Sequence, residues 1–320
     1  MKAGDGPLRT ALGAALASLV VVAVVAALTV HRPSTDAVGT SRVTTDGNQP
    51  GSGHRHGTPP ASSASTTPPT KPSSRPGVRP AAGGGCGLAL TPAATTGAVG
   101  HCTVLEIGDS LGNDIGWGLQ RELAPGTGLT LDQLDTSATG LVNTAFYDWP
   151  QHLAADLRQY HPQLVVICMG GNDEQGMVVN GSVAPFGSPT WKEAYLARAS
   201  ALVHEATAAG AYVLWVGMPI MEQPEFSAGM EILNSVDQQA AEADPNAVFL
   251  PVWQLFSDPA GQFQSTAAVN GAATTLREPD GVHYSFLGEN VIATYVLEHI
   301  ASTFHVHLTP QQPARITGWG

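Results

Sequence analysis

From about residue 100 onward, short apolar runs alternate with longer stretches in which apolar residues recur every three to four positions. The runs at 103–107, 129–134, 164–169, 212–216 and 247–252 read as strands, and the stretches around 113–124, 150–160, 191–209, 227–243 and 286–302 as helices. In 191–209, Trp191, Tyr195, Leu202, Val203 and Ala206 fall on or near one stripe, and Gly210 follows as a stop. Apolar strands each followed by a helix predict an α/β domain, a parallel sheet covered on both faces. About 220 residues suit one such domain, here 86–320.

The first hundred residues follow other patterns. Residues 11–30 (ALGAALASLVVVAVVAALTV) hold no charge, and Lys2 and Arg9 precede them. As a helix they would span roughly 30 Å, the thickness of a bilayer core. That predicts a transmembrane signal-anchor after a cytoplasmic N-terminus at 1–10, with the rest of the chain outside the cell. A cleaved signal peptide releasing a secreted protein is the other reading. Residues 31–85 are rich in Pro, Ser, Thr and Gly without apolar periodicity, so the expectation is a disordered linker. Such a linker reaches roughly 40 Å as a flexible coil and about 170 Å when stretched. His54 and His56 within it read as solvated polar residues.

Charge divides the chain the same way. Residues 1–100 carry 8 Lys+Arg and 3 Asp+Glu, whereas 101–320 carry 6 and 23, a net of −17. So acidic a domain disfavours nucleic acid or another polyanion as its partner. The three cysteines do not make a zinc site, and no metal is expected. Cys86 and Cys102 bracket the entry to the domain and would form a disulfide in an extracytoplasmic setting. Cys168, inside the apolar run 164–169, reads as a buried residue without a partner.

Four separated segments carry the candidate chemistry: Gly108-Asp109-Ser110-Leu111, Thr139-Gly140, Gly170-Gly171-Asn172-Asp173 and Asp280-Gly281-Val282-His283. In a parallel α/β sheet the loops after the strands form the ligand-binding rim, and all four segments fall there. Ser110 sits where a strand turns into a helix, as a nucleophile or as a helix N-cap. His283 is the natural base, and Asp280, three residues earlier, lies within reach of its Nδ1–H. The Ser110 N–H, the Gly140 N–H and the Asn172 side-chain amide are candidate oxyanion donors. Asp173, Gln175, Met218 and Arg277 are candidates for the substrate pocket. Arg277 would meet a substrate carboxylate or pair with Glu278 or Asp280. Trp149 is read as a core aromatic before a sugar-stacking one.

These residues resemble the SGNH (GDSL) hydrolase family over roughly residues 101–303. Ser110, Gly140, Asn172 and His283 stand at its four namesake positions, with Asp280 as the acid. Residues 111–114, Leu-Gly-Asn-Asp, depart from the pattern of the many members with Thr after the Leu. The resemblance implies a flavodoxin-like three-layer α/β/α domain with a five-stranded parallel sheet. It also implies serine esterase, lipase or carbohydrate O-acyl esterase activity with no metal or organic cofactor. The expectation is a membrane-tethered esterase that removes O-acyl groups, acetyl first, from an envelope glycan or another small ester. An O-acyltransferase using the same residues and a non-catalytic glycan-binding module on a stalk are the alternatives.

Overall fold

Every residue of 164–168 and 212–216 is buried, so a sheet built from those strands requires cover on both sides. The computed structural model describes residues 86–90, 100–123 and 125–319. The signal-anchor expected at 11–30 and the linker at 31–85 lie outside the described residues. Among the described residues no helix is long and apolar enough to cross a membrane.

The elements run β1 (Cys102–Gly108), α1 (Ser110–Glu122), β2 (Leu129–Gln133), α2 (Trp149–Tyr160), β3 (Leu164–Cys168), β4 (Met177–Val179), β5 (Ser182–Ala184) and α3 (Pro189–Ala208). They continue with β6 (Tyr212–Val216), α4 (Pro224–Glu242), β7 (Ala247–Leu250), β8 (Thr266–Val269), β9 (Ala272–Thr275), α5 (Phe286–Thr303) and β10 (Ile316–Trp319). Five strands form one parallel sheet in the order β2-β1-β3-β6-β7, the doubly wound order with its switch point between β1 and β3. Helices α1 and α5 pack together, as do α3 with both α2 and α4. The buried stripe of α3 holds Trp191, Tyr195, Ala199, Leu202, Val203 and Ala206, at the helical spacing read from the sequence.

Two departures from the sequence reading have local causes. Helix α1 begins at Ser110 rather than 113, because Asp109 caps it: Asp109 Oδ1 accepts the Leu111 N–H at 2.9 Å. The antiparallel hairpins β4–β5 and β8–β9 were not expected at all. Each turns on an Asn-Gly pair with positive φ at both residues: Asn180 and Gly181 at 51° and 79°, Asn270 and Gly271 at 50° and 83°. That is the type I′ turn that matches the strand twist. Strand β10 joins β8 to complete a small three-stranded sheet.

Cys86 and Cys102 are joined by a disulfide that fastens the arm before the domain to the first residue of β1. Cys168 is buried and unpaired. With the bridged positions 16 apart in sequence, loop entropy puts the bond at about 3 kcal/mol. The double variant Cys86→Ser/Cys102→Ser is therefore expected to lose about that much stability in urea unfolding. Wild-type protein unfolded with a reductant should match it, and equal midpoints with and without the bond would contradict the estimate.

Candidate active site

The switch point places the C-terminal ends of β1 and β3 side by side, and the chain leaves them for opposite neighbours. Ser110 follows β1 by two residues and Asn172 follows β3 by four, so both flank this crevice. Because Asp109 takes the capping role, the Ser110 side chain is free for another partner. Ser110 Oγ lies 2.8 Å from His283 Nε2, and His283 Nδ1 lies 2.7 Å from Asp280 Oδ2. The three residues thus form one continuous hydrogen-bonded chain from hydroxyl to carboxylate.

The loop bearing His283 is pinned along its backbone. Asp280 Oδ1 accepts the N–H groups of Val282 at 2.8 Å and His283 at 3.0 Å, while the Glu278 N–H donates to His283 O at 2.8 Å. Burial pushes the Asp280 carboxyl up, but the His283 ring and these two N–H groups outweigh it and hold the carboxyl below its ordinary value. Asp280 is therefore an anion at neutral pH.

The opposite side of the crevice presents hydrogen-bond donors. Ser110 is the first residue of α1, so its N–H has no acceptor within the helix. Asn172 Nδ2 donates to Thr139 O at 2.9 Å and, in a longer bond of 3.5 Å, to Asp109 Oδ2, the weaker of the two and the one a ligand would replace. Asp109 Oδ2 meanwhile accepts the N–H groups of Gly170 and Gly171 at 3.0 and 2.9 Å. One buried carboxylate thereby caps the Ser110 helix and orders the segment leading to Asn172. Burial raises the Asp109 pKa, and those N–H donors pull against it.

Gly140 belongs to a loop whose other polar groups are occupied. Asp173 accepts the N–H groups of Leu141 and Val142, both at 2.8 Å, and the Tyr195 hydroxyl at 3.1 Å. Arg198 donates to the carbonyls of Leu141 and Val142. The Gly140 N–H donates to no protein group among the described residues. A Cβ at position 140 would stand 2.3 Å from Asp173 Oδ1. Glycine is required there because the Asp173 carboxylate packs against it.

Three pocket candidates are buried side chains. Asp173, 1% exposed, braces the Gly140 loop, and burial pushes its carboxyl up to about 6. Met218 is fully buried beside Gly170. Arg277, also 1% exposed, pairs with neither Glu278 nor Asp280 and meets no solvent. Its guanidinium donates to the Gly281 and Val282 carbonyls and lies among the rings of Phe256, Phe263 and Tyr284. It thus supports the His283 loop from beneath. Gln175 is exposed, and its Nε2 donates to Asn172 O at 2.6 Å. Trp149 is a core residue, its indole N–H held by Thr139 Oγ1 at 3.1 Å.

Sequence reasoning missed the buried acids beneath the rim. Burial, reinforced by Asp135, drives the Glu106 carboxyl well above its ordinary value, and Asp135 rises to about 6. A charged residue inside an apolar strand such as β1 was the available signal. Among the described residues no cluster of His, Cys, Asp and Glu could hold a metal ion.

A family model described as "Protein of unknown function (DUF459)" matches residues 103–299. No curated protein matches. Similar solved structures include a catalytic mutant of Axe2, an acetylxylan esterase from Geobacillus stearothermophilus, at 19% identity and a TM-score of 0.44. That likeness covers 63% of this chain and 96% of the other. Another is LAE5, an alpha/beta hydrolase enzyme from the metagenome of Lake Arreo, Spain, at 15% identity and a TM-score of 0.46, covering 64% and 97%.

Proposed function

We propose that this chain, which belongs to the DUF459 family of proteins of unknown function, is a serine esterase of the SGNH (GDSL) type. Its substrates are O-acyl groups, acetyl first, on cell-envelope glycans, and a signal-anchor at 11–30, followed by the Pro-, Ser- and Thr-rich stretch 31–85, holds it outside the cell. The observation that carries this reading is the unbroken hydrogen-bonded chain Ser110–His283–Asp280, for which the Ser110 and Gly140 N–H groups and the Asn172 amide are the oxyanion donors of this proposal.

In acylation, His283 Nε2 takes the Ser110 proton as Oγ attacks the ester carbonyl, and Asp280 stabilises the imidazolium. The three donors stabilise the oxyanion, and the imidazolium returns its proton to the departing sugar oxygen. Water activated by the same His283 then releases the acyl group as the acid and restores Ser110. The acidity of residues 101–320, net −17, favours neutral or cationic glycans.

A fluorophosphonate probe tests the reading. The full-length protein in detergent is expected to be labelled at Ser110 and to release acetate from acetylated glycans, both lost in Ser110→Ala. Sugar acceptors added to the same assay distinguish transfer from hydrolysis. If folded wild-type protein takes no label and hydrolyses no ester above the Ser110→Ala background, the esterase reading falls and a glycan-binding module replaces it.

A further inference from the structure

Helix α1 offers a second side chain to the loop that Ser110 meets. Asp114 lies four residues after Ser110, which puts both on one face of the helix, one turn apart. It is 7% exposed, and its Oδ2 accepts the backbone N–H of Tyr284 at 3.0 Å. Tyr284 directly follows His283. Its buried ring packs on Phe256, with centroids 4.8 Å apart, and 5.0 Å from the Arg277 guanidinium. The residue after His283 is therefore held through its backbone by the helix of Ser110 and through its ring by the far side of the loop.

We propose that Asp114 is a positioning residue: it locks the His283 loop onto α1, fixing the separation of Ser110 Oγ from His283 Nε2, and its negative charge steadies the imidazolium formed when Ser110 loses its proton. This rests on reading Ser110 as the nucleophile. It goes further by assigning a role outside the hydrogen-bonded chain.

An amide oxygen could also accept the Tyr284 N–H, so the charge needs its own account. Burial pushes the Asp114 carboxyl up to about 7; His283 and the Tyr284 N–H pull it down, while Glu289 on α5 and Asp109 after β1 push it up. Arg277, on the segment after β9, also feels its charge. The sign follows directly. Above neutrality Asp114 is ionised and its charge acts on His283; as the pH falls through about 7 it gains a proton, and both the charge and the stronger hydrogen bond are lost.

The test compares full-length wild type, Asp114→Ala and Asp114→Asn by kcat and KM on p-nitrophenyl acetate from pH 5 to 9, and by the rate of fluorophosphonate labelling. Asp114→Ala is expected to lower kcat about tenfold or more with KM within twofold, a misplacement effect. Asp114→Asn should recover part of that loss. The acid side of the log kcat/KM profile should fall more steeply in wild type than in Asp114→Asn, because only the wild type also loses the Asp114 charge there. Where Asp114→Ala fails to fold, Asp114→Asn carries the slope comparison alone. Equal slopes in wild type and Asp114→Asn, or an Asp114→Ala enzyme labelled at the wild-type rate, overturn the proposal while leaving the esterase reading intact. An unlabelled wild type overturns both.

Discussion

Replacing His283 by alanine is expected to lower kcat/KM for an acetyl ester by about 10⁴-fold or more while KM changes little. Among the described residues the side-chain partner of Ser110 Oγ is His283 Nε2 at 2.8 Å, so the substitution removes the base placed to take its proton. The residual rate would come from the Ser110, Gly140 and Asn172 donors, which the substitution leaves in place. Because hydroxyl and base act as one unit, Ser110→Ala/His283→Ala should be no slower than the slower single variant. Steady-state kinetics on p-nitrophenyl acetate reads both results. An His283→Ala enzyme within tenfold of wild type would remove His283 from its assigned role.

The second large effect is expected at Asp173, in folding as well as in rate. Asp173→Ala deletes the acceptor for two backbone N–H groups and a tyrosine hydroxyl, at Leu141, Val142 and Tyr195. A buried donor left without a partner costs about 1–3 kcal/mol. Three such donors, partly relieved by relaxation of the loop, give a loss of about 3–5 kcal/mol, so the urea midpoint should fall sharply. The Gly140 loop would lose its brace, and kcat/KM of the folded fraction should fall as an oxyanion donor drifts. Asp173→Asn, which keeps one acceptor oxygen, should fall between wild type and alanine. A stability loss below about 1 kcal/mol in Asp173→Ala would show that the loop is held by other means.

What could be read from the sequence follows from where its signals are local. Strands β3 and β6 are apolar throughout because both faces are covered, and β2, at the sheet edge, is only half-buried. Order along a doubly wound sheet then puts Ser110, Gly140, Asn172 and His283 on one rim without further information. The two Asn-Gly dipeptides are turn signals in themselves, but their strands, only three or four residues long, are too short to show a pattern beside them.

Polar residues whose partners lie far away in the chain were not legible. Asp173 looks like a loop residue next to Asn172 until it is seen accepting N–H groups from Leu141 and Val142. Arg277 looks like a substrate-binding cation until aromatic rings and backbone carbonyls enclose it. Asp114 finds its partner 170 residues later. Whether a charge faces substrate or braces a loop is decided by packing, and no local pattern carries that.

The Cys86–Cys102 bond bears on how the domain would respond to pulling from its N-terminal side. Tension entering at residue 86 crosses the sulfur bridge and arrives at the start of β1, so the stretch between the two cysteines carries none of it. Strand β1 is hydrogen-bonded on both sides, to β2 and to β3, so two ladders share the strain. Pulled from this point, the domain resists through both ladders of its central sheet, the sheet whose rim bears Ser110.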